Sequence, residues 1–441
     1  METVLLYVLG VVVVALGLAV SIGLHELGHL IPAKRFGVKV AQYMIGFGPT
    51  LFSRRKGETE YGVKLVPLGG YISMAGMYPP AHAGEGARTA NTGFFDTLVQ
   101  DARDQSAETV APGDEERVFY KLPVYKRIVI MLGGPFMNLL IAIVLYTVVL
   151  CGFGVYQYST TLGTVNECVA TDASQTECTA ADPAAPAAEA GLRPGDRLVS
   201  IDGTEIASWD QASGIIRSHP GDTLSFVVER DGAQLSLEVT PLLTERPVTD
   251  AAGQAVVDED GKAVTQEVGF IGVGPATEKV QQPVTAVLPA VWDNSVAVGK
   301  IIVTLPQRLV QVAQAAFGGD ERDPNGPISV VGVGRLAGEI SSLDAAPVAD
   351  RAASLLQMLA ALNVALFVFN LVPLLPLDGG HVAGALWEAI RRRFAKLRGK
   401  ADPGPVDIAR FIPVTLVIVA VLAVSSALLI YADIVNPVTL R

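Results

Sequence analysis

The sequence predicts a polytopic α-helical membrane protein of about four transmembrane helices, with a membrane-associated β-hairpin region and an extracytoplasmic α+β domain. Three observations predict it. Half of the 441 residues are apolar and the mean hydropathy is +0.41, too hydrophobic for an ordinary soluble enzyme. Four segments, at about 4–24, 125–151, 353–373 and 412–432, each reach the ~20 residues that a spanning helix needs. The net charge of −11 is also unevenly spread. Residues 154–350 hold 11 Lys+Arg against 27 Asp+Glu, whereas residues 31–127 hold 13 against 10.

Val4 to Gly23 carry no charge. The start, Met1-Glu2-Thr3, lacks the positive region of a signal peptide, so the segment reads as a retained span. It ends in His25-Glu26-Leu27-Gly28-His29. Histidines at i and i+4 share one helical face with the glutamate beside them. His-Glu-x-x-His on a helix is a zinc-hydrolase signature in which the imidazoles bind metal and the glutamate acts as general base. Left unpaired near hydrocarbon, these groups would each cost several kcal/mol, a cost that bound metal offsets. His25 and His29 are therefore candidate ligands and Glu26 the candidate base.

Beyond the first span, residues 38–74 change period. Val38, Val40 and Tyr43 to Phe47 read as strand, Lys56-Gly57-Glu58 as a turn, and Tyr61 to Leu65 as a returning strand. Residues 1–78 are thus one unit of span and hairpin. Residues 79–123 read as a cytoplasmic insertion, poor in structure signals apart from an amphipathic piece at 94–105. The second span falls in 124–153.

Residues 154–280 form the outer domain. Leu198 to Ile201 alternate into an Asp202-Gly203 turn, and Thr223 to Arg230 pair with Leu235 to Val239 across Asp231-Gly232. A further turn signal stands at Asp260-Gly261. Two of the three cysteines, Cys168 and Cys178, fall in this segment, where oxidising conditions favour a disulfide over two free thiols. Residues 281–350 are apolar but interrupted by Trp292, Asp293, Lys300 and Arg308, a pattern for a helix at the outer interface or one packed on the outer domain.

Residues 351–441 hold the last two spans. The third ends in Asn370-Leu371-Val372-Pro373-Leu374-Leu375-Pro376-Leu377-Asp378-Gly379-Gly380. Two prolines cannot continue a regular helix, and irregular backbone at this depth must line protein or a wet cavity. A hydrolytic zinc site needs a third protein ligand, and Asp378 stands where it could serve. Arg391, Arg392, Arg393, Lys396, Arg398 and Lys400 mark the following loop as cytoplasmic. The amino terminus and the acidic segment then lie outside, the histidines near the inner face, and an acidic ectodomain argues against nucleic acid as a partner.

Taken together, these motifs make the chain similar to the site-2 protease family of zinc intramembrane metalloproteases, in its bacterial single-PDZ subgroup. The likeness rests on His25–His29, Gly46-Phe47-Gly48, Pro67-Leu68-Gly69-Gly70-Tyr71, Gly133-Gly134-Pro135 with Asn138, Leu192-Arg193-Pro194-Gly195-Asp196, Gly326-Pro327-Ile328, and Asn370 to Gly379. The resemblance implies one catalytic Zn2+ on His25, His29 and Asp378, with Glu26 as base. It also implies a membrane-entering hairpin around 46–71, and substrate contacts at Asn370, Gly46, Gly48 and Pro373. The outer domain is then a PDZ domain, with 166–183 a long first loop. Expected partners are single-span transmembrane substrates, membrane lipid and an extracytoplasmic peptide, in a bacterial inner membrane. The competing class is an inactive membrane PDZ adaptor or chaperone, which has no need of Glu26 and Asp378. A transporter would show paired hydrophobic repeats, which are missing here.

Overall fold

The computed structural model describes residues 2–79, 99, 103, 106–110, 112–169, 178–179, 182–248, 264–318, 322–323 and 326–438. The chain divides into two compact units, one of residues 1–153 with 282–441 and one of residues 154–281. The 79–123 insertion falls largely outside the described residues, as does the turn at Asp260-Gly261.

In the first unit, α1 (Glu2–Arg35) leads into the strands β1 (Val40–Lys56) and β2 (Thr59–Met74). The hairpin is folded on itself. Val40 to Ile45 pair antiparallel with Gly70 to Met74, while Gln42 to Ile45 also lie beside Glu60 to Val63, with residue numbers rising together on that side. The segment from Val40 is therefore an inner strand, and the one ending at Met74 has an outer edge. At the far end Leu51, Phe52 and Leu65 are 56–67% exposed, an apolar tip that water would not select.

Four further long helices follow. They are α2 (Val124–Thr147), continued as wider π turns to Phe153, then α5 (Val287–Gly318), α7 (Val348–Asn370) and α9 (Ile412–Val435). With α1, they make five helices long and apolar enough to cross a membrane. The fifth candidate is α5, read from sequence as interfacial. Asp293, Lys300 and Arg308 stand seven and eight residues apart. They therefore follow one stripe of a helix and leave the remaining surface apolar. Two shorter helices among the described residues are α6 (Val330–Ser341) and α8 (Asp378–Leu397).

The helices pack through three apolar clusters. Leu30, Val40, Met74, Ile130 and Met131 join α1, the hairpin and α2. Tyr146, Val291 and Val364 join α2, α5 and α7, and Val14, Ala337 and Leu359 join α1, α6 and α7. The first of these fixes the base of the hairpin to the His25–His29 end of α1.

The second unit is a sheet in the order β10-β3-β4-β6-β7, with β5 beside β4. Its strands are β3 (Val155–Val165), β4 (Arg197–Ile201), β5 (Thr204–Glu205), β6 (Leu224–Arg230), β7 (Ala233–Val239) and β10 (Val273–Val280). The short helix α3 (Pro186–Glu189), the helix α4 (Trp209–Ser218) and a separate β8 (Leu242–Pro247)–β9 (Thr265–Phe270) pair complete it. Leu162, Leu198, Ile201, Leu224 and Phe226 form its core. Leu224 and Phe226 keep the period of two, whereas Leu198 and Ile201 both face inward because β4 has a register irregularity between Leu198 and Ser200. Asp196 is buried and takes two bonds from Arg230, at 2.7 Å each, and one from the Arg193 N–H at 2.8 Å. Cys168 and Cys178 are joined by a disulfide, with Cα atoms 5.9 Å apart.

Candidate metal centre

His25 and His29 share one face of α1, and the first residue of α8, Asp378, meets them from the other end of the sequence. Asp378 Oδ2 lies 3.4 Å from both His25 Nε2 and His29 Nε2, and the two Nε2 atoms are 3.2 Å apart. Each imidazole has a partner for its other nitrogen. His29 Nδ1–H donates to the Ile130 carbonyl at 2.7 Å, which leaves Nε2 as a bare lone pair. The Asn138 amide lies 3.1 Å from His25 Nδ1, and its Oδ1 has no hydrogen-bond partner. Turned over, as an amide can be, Oδ1 accepts the Nδ1 proton and His25 matches His29. Asp378 Oδ2 is out of solvent and has no hydrogen-bond donor.

With both rings protonated at Nδ1, two Nε2 lone pairs and a carboxylate oxygen face one another, an arrangement that suits a cation. Bonds of about 2.0–2.1 Å around a tetrahedral ion set donors about 3.3–3.4 Å apart. The observed separations of 3.2–3.4 Å match that edge length. Two imidazoles and one carboxylate suit Zn2+ with a fourth position open.

Glycine makes the approach of the helices feasible. A Cβ on Gly133 would fall 2.0 Å from the Gly28 carbonyl oxygen, and one on Gly28 2.2 Å from that of Gly133, so α1 and α2 touch backbone to backbone. A Cβ on Gly134 would fall 2.2 Å from His29 Nε2 and 2.7 Å from His25 Nε2, inside the donor cluster. Gly379 and Gly380 let residues 371–375 fold against the first turn of α8, where Cβ atoms would meet the Leu371 and Leu374 backbone within 2.5–2.7 Å. That packing fixes Asp378 at the helix start.

Glu26 is buried at 8% exposure, and Gly70 lies against it, for a Cβ there would be 2.9 Å from Glu26 Cγ. The edge segment of β2 therefore passes the glutamate. Gly46 and Gly48 sit in β1 at φ of 92° and 85°, and Gly46 is packed on the Val66 carbonyl. Asn370 ends α7, and Pro373 lies in the turn to Asp378. The structure brings together His25, His29 and Asp378, whereas Asn370 and Pro373 reach them through chain connection.

Sequence reasoning found the Gly133-Gly134 doublet and Asn138 as motifs but not their tasks. A glycine doublet inside an apolar span was the available signal for close helix approach. It missed Gly70 as the neighbour of Glu26. It also missed His381, one turn past Asp378, whose Nδ1 is out of solvent without a partner. Desolvation lowers the pKa of His381. A further omission is the buried pair tying α2 to α8, in which Arg127 Nη2 donates to Glu388 Oε1 at 2.5 Å.

Helices that can cross a bilayer, converging on three metal donors beside a glutamate, define a multi-pass membrane protein with a metal centre of the hydrolytic type. The profile of peptidase family M50 matches residues 13–403, and the chain belongs to that family, the site-2 proteases. It is 35% identical over 446 residues to the zinc metalloprotease Rip1 of Mycobacterium tuberculosis, covering 99% of this chain and 100% of the relative. The Mycolicibacterium smegmatis Rip1 is 34% identical over 448 residues with the same coverage. The metalloprotease MmpA of Caulobacter vibrioides is 30% identical over 384 residues, 85% of each chain.

Proposed function

We propose that the protein is a zinc-dependent intramembrane endopeptidase that cleaves transmembrane segments of single-span proteins, such as membrane-anchored regulators or anti-sigma factors. The observation that carries this reading is the 3.2–3.4 Å approach of His25, His29 and Asp378, beside buried Glu26. Zinc held by those three residues supplies Lewis acidity to the scissile carbonyl and acidity to water. Glu26 takes a proton from the attacking water and returns it to the leaving amine, so the proton count balances.

A peptide bond in a membrane helix is already hydrogen-bonded, so the substrate must be unwound before it can be cut. The outer edge of the 66–74 segment offers backbone groups to an extended chain, and Gly70 brings that edge against Glu26. Gly46 and Gly48 shape the strand beside it, and Asn370, with both a donor and an acceptor, steadies the freed substrate backbone near the Pro373 turn. The apolar tip at Leu51, Phe52 and Leu65 supports a hairpin dipping into lipid.

In this reading residues 154–281 are an extracytoplasmic PDZ domain that filters or recruits substrates by their outer tails. Its support is the edge position of β10, where a peptide strand could be added. Six cations in residues 391–400 and the acidic 154–350 segment support an inward-facing zinc site with the amino terminus outside.

The test uses purified protein in liposomes with a single-span substrate, sequencing the fragments. Wild type should retain about one zinc per chain and cut within the span. Glu26→Gln should keep the metal and lose about 10²–10⁴ in rate. Chelation should stop cleavage and zinc should restore it. Cleavage indifferent to Glu26→Gln or to chelation would overturn the proposal.

A further inference from the structure

Among the described residues, one side of α8 is packed on the protein and the other is exposed. Ala385 and Glu388 are buried, whereas Leu386, Trp387, Ile390, Phe394 and Leu397 are 46–75% exposed. At about 100° per residue these five bulky side chains share one arc of roughly 100°. Arg393 borders that arc on one side with Lys396 beyond it, and Arg391 and Arg398 border it on the other. Arg393, Lys396 and Arg398 are exposed and form no ion pair among the described residues. Arg392, by contrast, turns inward to Glu388 at 3.0 Å.

Charge and position say what covers this arc. The chain carries a net charge of −11, yet residues 391–400 hold six cations and no acid. The helix stands between α7 and α9, both candidates to cross the bilayer. Trp387 also lines an apolar cavity of about 260 Å³ with Leu375, Gly384, Phe411 and Ile418. An apolar stripe with cations on both margins lies in a lipid interface, its stems along the acyl chains and its charges among the headgroups.

We propose that α8 docks on an anionic phospholipid surface, with Arg391, Arg393, Lys396 and Arg398 on headgroup phosphates and the Trp387 arc among acyl chains. The proposal rests on the chain spanning a membrane and not on its hydrolytic activity, so it is tested by binding. Trp209→Phe with Trp292→Phe leaves Trp387 as the sole tryptophan of the full chain. The protein is placed in phosphatidylcholine vesicles containing an equal low mole fraction of either brominated phosphatidylglycerol or brominated phosphatidylcholine.

The expected result is stronger quenching of Trp387 by the anionic lipid, reflecting its enrichment around α8. A cation at a membrane surface is worth about 1 kcal/mol, or about fivefold in affinity. Replacing Arg391, Arg393, Lys396 and Arg398 by Gln should therefore cut the preference by at least roughly tenfold. About 1 M salt, with a screening length of about 3 Å, should do the same to the unaltered charges without any risk to folding. Equal quenching by both lipids would overturn the proposal, as would a preference untouched by salt. Failure of either lipid to quench would mean that protein, from a partner or a second copy, covers the arc, and would overturn it equally.

Discussion

Two groups of buried ionisable side chains in the membrane unit are built on opposite plans. Around Glu388 every charge is answered. Oε1 accepts from Arg127 at 2.5 Å and is ion-paired with Arg392 at 3.0 Å, and Oε2 accepts from the Val406 N–H at 3.0 Å. Asp433 is treated alike, with Arg322 on one oxygen and the Ser329 N–H at 2.6 Å on the other. Asp378 Oδ2 has no hydrogen-bond partner, and the imidazole Nε2 atoms facing it lie 3.4 Å away, their rings oriented through Nδ1 by Ile130 and Asn138. Carboxylates paired with arginines hold elements in place, whereas the Asp378 carboxylate faces imidazoles in an arrangement that suits a metal ion. The first kind of cluster is scaffolding and the second is chemistry.

The sharpest way to break that contrast is to remove a donor from the unsatisfied cluster. His29→Ala or Asp378→Ala should leave no zinc on purified protein by mass spectrometry and turnover below detection, with the helical circular dichroism unchanged. An intact zinc content in either variant would sink the ligand assignment. The scaffold cluster should respond in the opposite currency. Glu388→Ala strands Arg127 in the interior and should cost about 3–5 kcal/mol of stability, read as a lower denaturation midpoint. Arg127→Met with Glu388→Leu should restore most of it, because an apolar pair can replace a buried ion pair.

Smaller effects sharpen the comparison. In Gly134→Ala the new methyl would sit 2.2 Å from His29 Nε2, so zinc affinity should fall by about 100-fold, at the upper end of outer-shell effects. Asn138→Ala leaves the three donors in place but frees the His25 ring. Zinc affinity should drop by about 10–100-fold in a competitive chelator titration, and Asn138→Asp should recover part of it. An Asn138→Ala variant that binds zinc as tightly as wild type would show that the His25 tautomer needs no partner.

How much of this was legible depends on the range of the interactions involved. The spans, the hairpin and the strands around Asp202-Gly203 and Asp231-Gly232 follow from local period and turn chemistry, which a sequence carries openly. The zinc helix was legible because i, i+4 spacing places His25 and His29 on one face, and Asp378 because two prolines open the helix before it. The span-like character of α5 was obscured by Asp293, Lys300 and Arg308, whose common stripe emerges only when the helix is wound. The Ile130 and Asn138 contacts depend on how α1 crosses α2. The Arg127–Glu388 bond joins positions 261 residues apart, and no local pattern links them.

The distance in sequence between the donors has a consequence for how the protein is made. His25 and His29 leave the ribosome before Asp378, which follows four of the five candidate spans found among the described residues. A nascent chain can therefore enter the bilayer, fold residues 154–281 and meet neighbouring helices before Asp378 is made. Synthesis itself imposes the delay: a chain cut short anywhere before residue 378 lacks a donor, and the membrane is not exposed to a half-built hydrolase.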